Sequence, residues 1–74
     1  MPTLRKKFGQ RLRGIRLSRR MSQERFAEAL GISVDFLSLV ERGRNAPSFE
    51  TLEKFSKRLK MPVASLFTFH GIGD

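Results

Sequence analysis

The single histidine of the sequence, His70, has no acid after it until Asp74, and the chain contains no cysteine. A metal centre needs several such ligands converging, so none is expected, and neither thiolate nor disulfide chemistry is open to the chain. Glu24 and Glu28 are one helical turn apart, but like Glu50 and Glu53 they read as solvated charges balancing Arg25, Lys54 and Lys57. No serine, histidine and acid assemble into a nucleophile–base relay, and no glycine-rich phosphate loop occurs, so neither catalysis nor a cofactor is expected. What the side chains do offer is positive charge. Lys and Arg number 15 against 7 Asp and Glu, a net charge of +8, and residues 1–20 carry Arg5, Lys6, Lys7, Arg11, Arg13, Arg16, Arg19 and Arg20 without one acid. A field of that sign attracts polyanions, of which nucleic acid is the commonest for a small basic domain.

The elements that must position these charges are helical. Leu4, Phe8, Leu12 and Ile15 recur every three or four residues, which predicts a first helix from a cap at Thr3 to about Arg19. Ser22 caps a second helix with Phe26, Ala27 and Leu30 on one face, ended by Gly31. Ser33 caps a third, with Phe36, Leu37 and Val40 inward and Gly43 at its end; Arg44 to Pro47 form a loop. Ser48 caps a fourth with Leu52, Phe55 and Leu59 inward, and Pro62 suits the first turn of a short fifth helix through Val63, Leu66 and Phe67. No segment alternates like a strand. The expected fold is all-α, one domain of five short helices over residues 1–74, with Thr68 to Asp74 as a tail that has little to order it.

The stretch Gln23–Arg42 is the most informative. Two helices that cross steeply through a turn of three or four residues need a small side chain at the crossing, and Ala27 supplies it. Gly31, four residues on, tolerates the positive φ of the turn, and Phe26, Leu30, Ile32, Leu37 and Val40 fall where the pair must close over a core. In this stretch the chain resembles the phage Cro/repressor (Xre-type) helix-turn-helix family, over about residues 8–67. The residues that carry the likeness are Ser22-Gln23 opening helix two, Ala27, Gly31, the Glu41-Arg42-Gly43 triplet and Pro47-Ser48. The resemblance implies a compact five-helix bundle of the lambda-repressor-like type. It further implies a regulator of transcription, more often a repressor, that binds a two-fold double-stranded DNA operator as a homodimer.

With Leu37 and Val40 inward, the opposite face of helix three presents Ser33, Val34, Asp35, Ser38, Leu39 and Arg42. A helix in the major groove reads bases through its N-terminal and outward side chains, so Ser33, Val34, Asp35, Ser38 and Leu39 are the expected base-edge readers. Val34 and Leu39 suit thymine methyls, and Asp35 suits a cytosine amino group. Two plainer readings stay open: Leu39 as a partly buried core residue, and Asp35 as a partner of the helix dipole. The long amide and basic readers that some members carry are absent here, a departure that concerns the reading code and not the groove-binding mode. Phosphate contacts are expected from Ser22 and Gln23 at the start of helix two, where family members hold the DNA backbone, from Arg42 and Arg44, and from Ser48 and Phe49 through their backbone N–H groups. Arg44 also reads as an ordinary solvated loop charge. The family pairs an arginine of helix one with the glutamate of the triplet, which implies a structural ion pair Arg16–Glu41. Members often dimerise near their C-terminal end, and Leu66, Phe67 and Phe69 are the expected dimer contact, with capping of the core as the other reading.

The missing cysteines fit a reducing cytoplasm, and no apolar run approaches the roughly 18 residues that span a bilayer, so a soluble, cytoplasmic protein without membrane or small-molecule partner is expected. A restriction–modification controller or an antitoxin, whose DNA binding is coupled to a protein partner, is the alternative to a plain repressor. RNA or membrane-surface binding is weaker: there is no Tyr or Trp to stack on bases, and Leu4, Phe8, Leu12 and Ile15 are needed to close the bundle.

Overall fold

The computed structural model describes residues 2–69; Met1 and residues 70–74, and with them His70 and most of the expected tail, lie outside the described residues. Four α-helices follow one another, α1 Leu4–Ser18, α2 Gln23–Leu30, α3 Val34–Glu41 and α4 Phe49–Leu59, and a 3-10 helix closes the order at Val63–Phe67. No strand occurs among the described residues.

Each α-helix begins in the same way. Thr3, Ser22, Ser33 and Ser48 sit in extended conformation, and each side-chain oxygen accepts the N–H three residues on, from Lys6, Arg25, Phe36 and Thr51 at 3.3, 3.2, 3.0 and 3.1 Å. Those N–H groups have no partner inside their own helix, and the caps satisfy them. Each helix also ends in the same way. A left-handed residue follows within two positions, and the next N–H reaches back to a carbonyl five residues earlier: Met21 to Arg16 (3.2 Å), Ile32 to Ala27 (3.0 Å), Arg44 to Leu39 (2.9 Å) and Met61 to Ser56 (3.1 Å). Glycine occupies the left-handed position twice, as Gly31 and Gly43, but Arg20 and Lys60 hold it with φ of 57° each. A β-carbon there costs about 1–2 kcal/mol, partly offset in the comparison by the extra backbone freedom a glycine loses. Lys60→Gly is therefore expected to stabilise the protein by up to about 1 kcal/mol, read as a rise of a few degrees in a thermal melt.

The core is one cluster from every element: Phe8, Leu12 and Ile15 of α1, Phe26, Ala27 and Leu30 of α2, Leu37 and Val40 of α3, Leu52, Phe55 and Leu59 of α4, and Leu66. Phe36, expected inward, is half-buried against its edge. The sequence reading departs from the structure at three places. Leu4 is 62% exposed, because the first turn of α1 runs past the end of the core, so Leu4 does not help to close the bundle. The fifth helix is 3-10: five residues between Pro62 and Thr68 are too few to build α-helical turns, and Pro62 precedes the helix as its cap position. Leu66 is fully buried within the one chain, which removes it from the expected dimer contact and makes it a core residue. Among the described residues no helix is long and apolar enough to cross a membrane.

Arg11 of α1 and Arg19, its C-cap residue, bond to the C-terminal part of the fold. Arg11 Nε donates to the Ser65 carbonyl at 3.0 Å, and Arg19 Nη2 donates to the Leu59 carbonyl at 2.9 Å. Both carbonyls lie at or near a helix end, where cations are favoured. Part of the positive charge in residues 1–20 thus ties α1 to the C-terminal elements instead of facing a polyanion.

Candidate nucleic-acid interface

The turn between α2 and α3 comprises Gly31, Ile32 and Ser33. Gly31 has φ 74° and ψ 33°, which a glycine adopts without strain. Two cations of α4 hold this corner: Lys54 Nζ donates to the Gly31 carbonyl at 3.0 Å, and Arg58 Nη1 to the Ala29 carbonyl at 3.4 Å. They meet the negative end of the α2 dipole. The turn is therefore braced from outside the helix pair.

From this corner α3 projects with two unlike faces. Leu37, Val40 and Glu41 are buried, whereas Val34 and Asp35 at its N-terminal end are exposed and Ser38 and Leu39 are half-buried. Ser33, also exposed, uses its oxygen to cap the helix but keeps its hydroxyl proton for another acceptor. Arg42 follows the helix with its Nε on the Ser38 carbonyl at 3.3 Å, and Arg44 is exposed. Ser48 accepts from the Thr51 N–H and donates its proton to the Thr51 hydroxyl at 3.0 Å, so its backbone, not its side chain, is left for a phosphate. Phe49 is 83% exposed at the start of α4.

Behind α3 lies a small polar network. Arg16 donates from Nε to Glu41 Oε2 at 2.8 Å and from Nη2 to Glu41 Oε1 at 3.1 Å, a two-pronged pair that joins the last turn of α1 to the last residue of α3. Its Nη1 donates to the Met21 carbonyl at 3.1 Å, and Gln23 Nε2 adds a further bond to Glu41 Oε1 at 3.1 Å. The Arg16 and Glu41 side chains are 11% and 3% exposed. Gln23, expected at a phosphate, thus has one amide N–H committed inside the protein, a contact that sequence spacing gave no sign of.

Gly9 was also missed. It is buried in α1 against the end of α3, where a β-carbon would stand 2.7 Å from the Glu41 carbonyl oxygen. The absence of a side chain lets α1 and α3 approach closely enough for Arg16 to reach Glu41. Beside the loop that follows α3, Leu4, Phe8, Pro47, Phe49, Leu52 and Phe67 line a largely apolar groove of about 730 Å³. Phe67 packs against Phe8 at a tilt, with ring centroids 5.1 Å apart, and meets Phe69 edge-on at 6.1 Å. The structure brings Ser33, Val34 and Asp35 together at one end of α3, and joins Gln23 to its other end through Glu41; Phe67 and Phe69 stand apart from both, by the groove.

This arrangement, a braced helix pair with a half-exposed second helix flanked by caps and cations, is that of helix-turn-helix proteins. A helix-turn-helix family model matches residues 12–66, and the chain belongs to that family, in its Cro/repressor-type branch. It is 40% identical over 68 residues to the control protein C.BamHI of Bacillus amyloliquefaciens, covering 90% of this chain and 84% of that one. With the immunity repressor of Bacillus phage phi105 it shares 36% identity over 58 residues, 78% of this chain but 40% of the repressor. The crystal structure of the restriction–modification controller C.AhdI from Aeromonas hydrophila superposes with a TM-score of 0.77 at 34% identity, covering 84% of this chain and 94% of that one. The chain is a DNA-binding regulator of transcription.

Proposed function

We propose that the protein binds a two-fold operator as a homodimer, with α3 of each copy in the major groove. The observation that carries this reading is the division of α3 itself: its Leu37–Val40 side is buried, and its N-terminal end offers Ser33, Val34 and Asp35 to solvent, with Ser38 and Leu39 beside them. That is the end which enters a groove in helix-turn-helix complexes. Ser22 and Gln23, Arg42 and Arg44, and the backbone of Ser48 and Phe49 serve as phosphate contacts that fix its register. The second copy packs across Phe67 and Phe69 and the groove beside them, whose Leu4 and Phe49 leave apolar surface that a monomer does not bury. Among regulatory settings, a restriction–modification controller is favoured over a phage repressor, because the likeness to C.BamHI runs at 40% identity over 68 residues of this chain and that to the phage repressor at 36% over 58.

In vitro selection from random duplexes, followed by footprinting, tests the proposal. A pair of half-sites about 34–36 Å apart, one helical turn, is expected; a footprint of one half-site at every concentration would exclude the dimer. Asp35→Ala and Leu39→Ala should alter the selected sequence, each good base contact being worth about 1–3 kcal/mol. Recovery of the unchanged operator by both variants would remove them as readers. Arg44→Ala should instead weaken binding to all duplexes alike and reduce the slope of log affinity against log salt by about one. A loss confined to one base pair would contradict the phosphate role.

A further inference from the structure

We infer that Glu41 is a positioning residue for DNA binding: it holds the Gln23 amide in the one orientation that offers a hydrogen-bond donor to a backbone phosphate. The inference rests on the proposed reading of Gln23 as a phosphate contact. Glu41 does not need Gln23 for its own sake, because Arg16 already gives a donor to each of its two oxygens, at 2.8 and 3.1 Å. Gln23 adds a third bond, Nε2 to Oε1 at 3.1 Å, from the first residue of α2 to the last residue of α3.

A carboxylate has no proton to give, so the amide must turn its nitrogen toward Glu41. A phosphate oxygen is likewise only an acceptor. The nitrogen carries two protons, and one remains after Glu41 has taken the other. A glutamine without this anchor samples both faces of its amide, and one of them aims a carbonyl oxygen at the anion. Anchoring removes that wrong state and the rotamer freedom before DNA arrives, which favours binding by lowering its entropic cost. Arg16 makes the device compatible with DNA, since its guanidinium cancels a carboxylate charge that alone would repel phosphates. Because Glu41 ends α3, the anchor also ties the phosphate contact of α2 to the position of the reading helix.

The test is a scan of the operator in which single phosphates are replaced by neutral methylphosphonates, with folded fractions checked by circular dichroism at each temperature used. Wild-type protein should lose affinity at several positions. Gln23→Ala should weaken binding about tenfold and make one of those positions per half-site insensitive. Glu41→Asp and Glu41→Met should blunt the effect at that same position while the positions served by Arg44 keep theirs. A uniform loss at every position, with the Gln23 position as sensitive as in the wild type, would reduce Glu41 to a purely structural role and overturn the inference. Should Gln23→Ala silence no position, the phosphate reading of Gln23 itself falls and takes the inference with it. If neither Glu41 variant folds, the wild-type protein decides: one of the two Gln23 side-chain N–H protons should exchange slowly with solvent in the free protein, and equal fast exchange of both would refute the anchor.

Discussion

Arg16→Ala is expected to lower the stability of the free protein by about 3–5 kcal/mol, the range for removing one partner of a buried ion pair. The Glu41 side chain is 3% exposed, and without the guanidinium it keeps only the Gln23 amide as a donor. The Met21 carbonyl, which ends the turn before α2, loses its donor as well. A domain of 74 residues has roughly 4–11 kcal/mol to lose, so the variant stands near the edge of folding. Its melting temperature should fall by more than about 12 °C, at about 4 °C or more per kcal/mol for a domain of this size. The cost measures the charge left behind, not the worth of the pair. The double replacement Arg16→Met with Glu41→Leu removes both charges at similar volume and should recover most of the loss. Urea denaturation of wild type, single and double variants separates the cases. A single variant within about 1 kcal/mol of wild type would mean that water solvates Glu41 and that the network is a surface one. The double variant carries a second consequence: it folds, yet it has no acceptor for Gln23, so its affinity for DNA should stay below that of wild type.

What the sequence disclosed follows from how far each interaction reaches along the chain. The four caps at Thr3, Ser22, Ser33 and Ser48 bond within three residues, and a hydroxyl before an apolar helical pattern announces them. Gly31 was equally legible, since a left-handed residue four positions after a small one leaves few alternatives. At Arg20 and Lys60 the same left-handed turn is taken by residues that carry no such signal, and nothing local marks it. Periodicity tells which way a residue faces but not whether the core reaches that far, which is why Leu4 read as core and is exposed. In the short run Val63–Phe67 the period is too brief to distinguish Leu66, which points inward, from Phe67, which lines the groove. The uses of Arg11, Arg19, Lys54 and Arg58 as donors to carbonyls 23 to 54 residues away are tertiary facts. Composition counts those residues as charge, and only the fold shows which of them are already occupied.

Gly9 and Gly14 lie on the same helix, and replacing each by alanine should have opposite effects. Intrinsic propensity favours alanine in both places by about 1 kcal/mol. Gly14 is exposed, a β-carbon there would meet nothing within 4 Å, and Gly14→Ala should stabilise by close to the full amount. At Gly9 the β-carbon would run into the Val40 carbonyl oxygen, the nearest atom, and would stand 2.7 Å from the Glu41 carbonyl oxygen and 2.9 Å from its carbonyl carbon. Carbon and oxygen normally keep about 3.3–3.6 Å apart, so one helix must move by more than half an ångström. The obstructing atoms are backbone and cannot rotate aside, and the two helices are already held by Arg16 and Glu41 in a bidentate geometry that does not tolerate such a shift. Overpacking of this kind costs about 1–3 kcal/mol, and strain on the ion pair adds to it, so Gly9→Ala should be a net loss of about 2 kcal/mol despite its better propensity. Thermal melts of the two variants beside wild type decide the matter. If Gly9→Ala rises in melting temperature alongside Gly14→Ala, then α1 and α3 are not in contact at this point, and the seat of the reading helix must be sought elsewhere in the molecule.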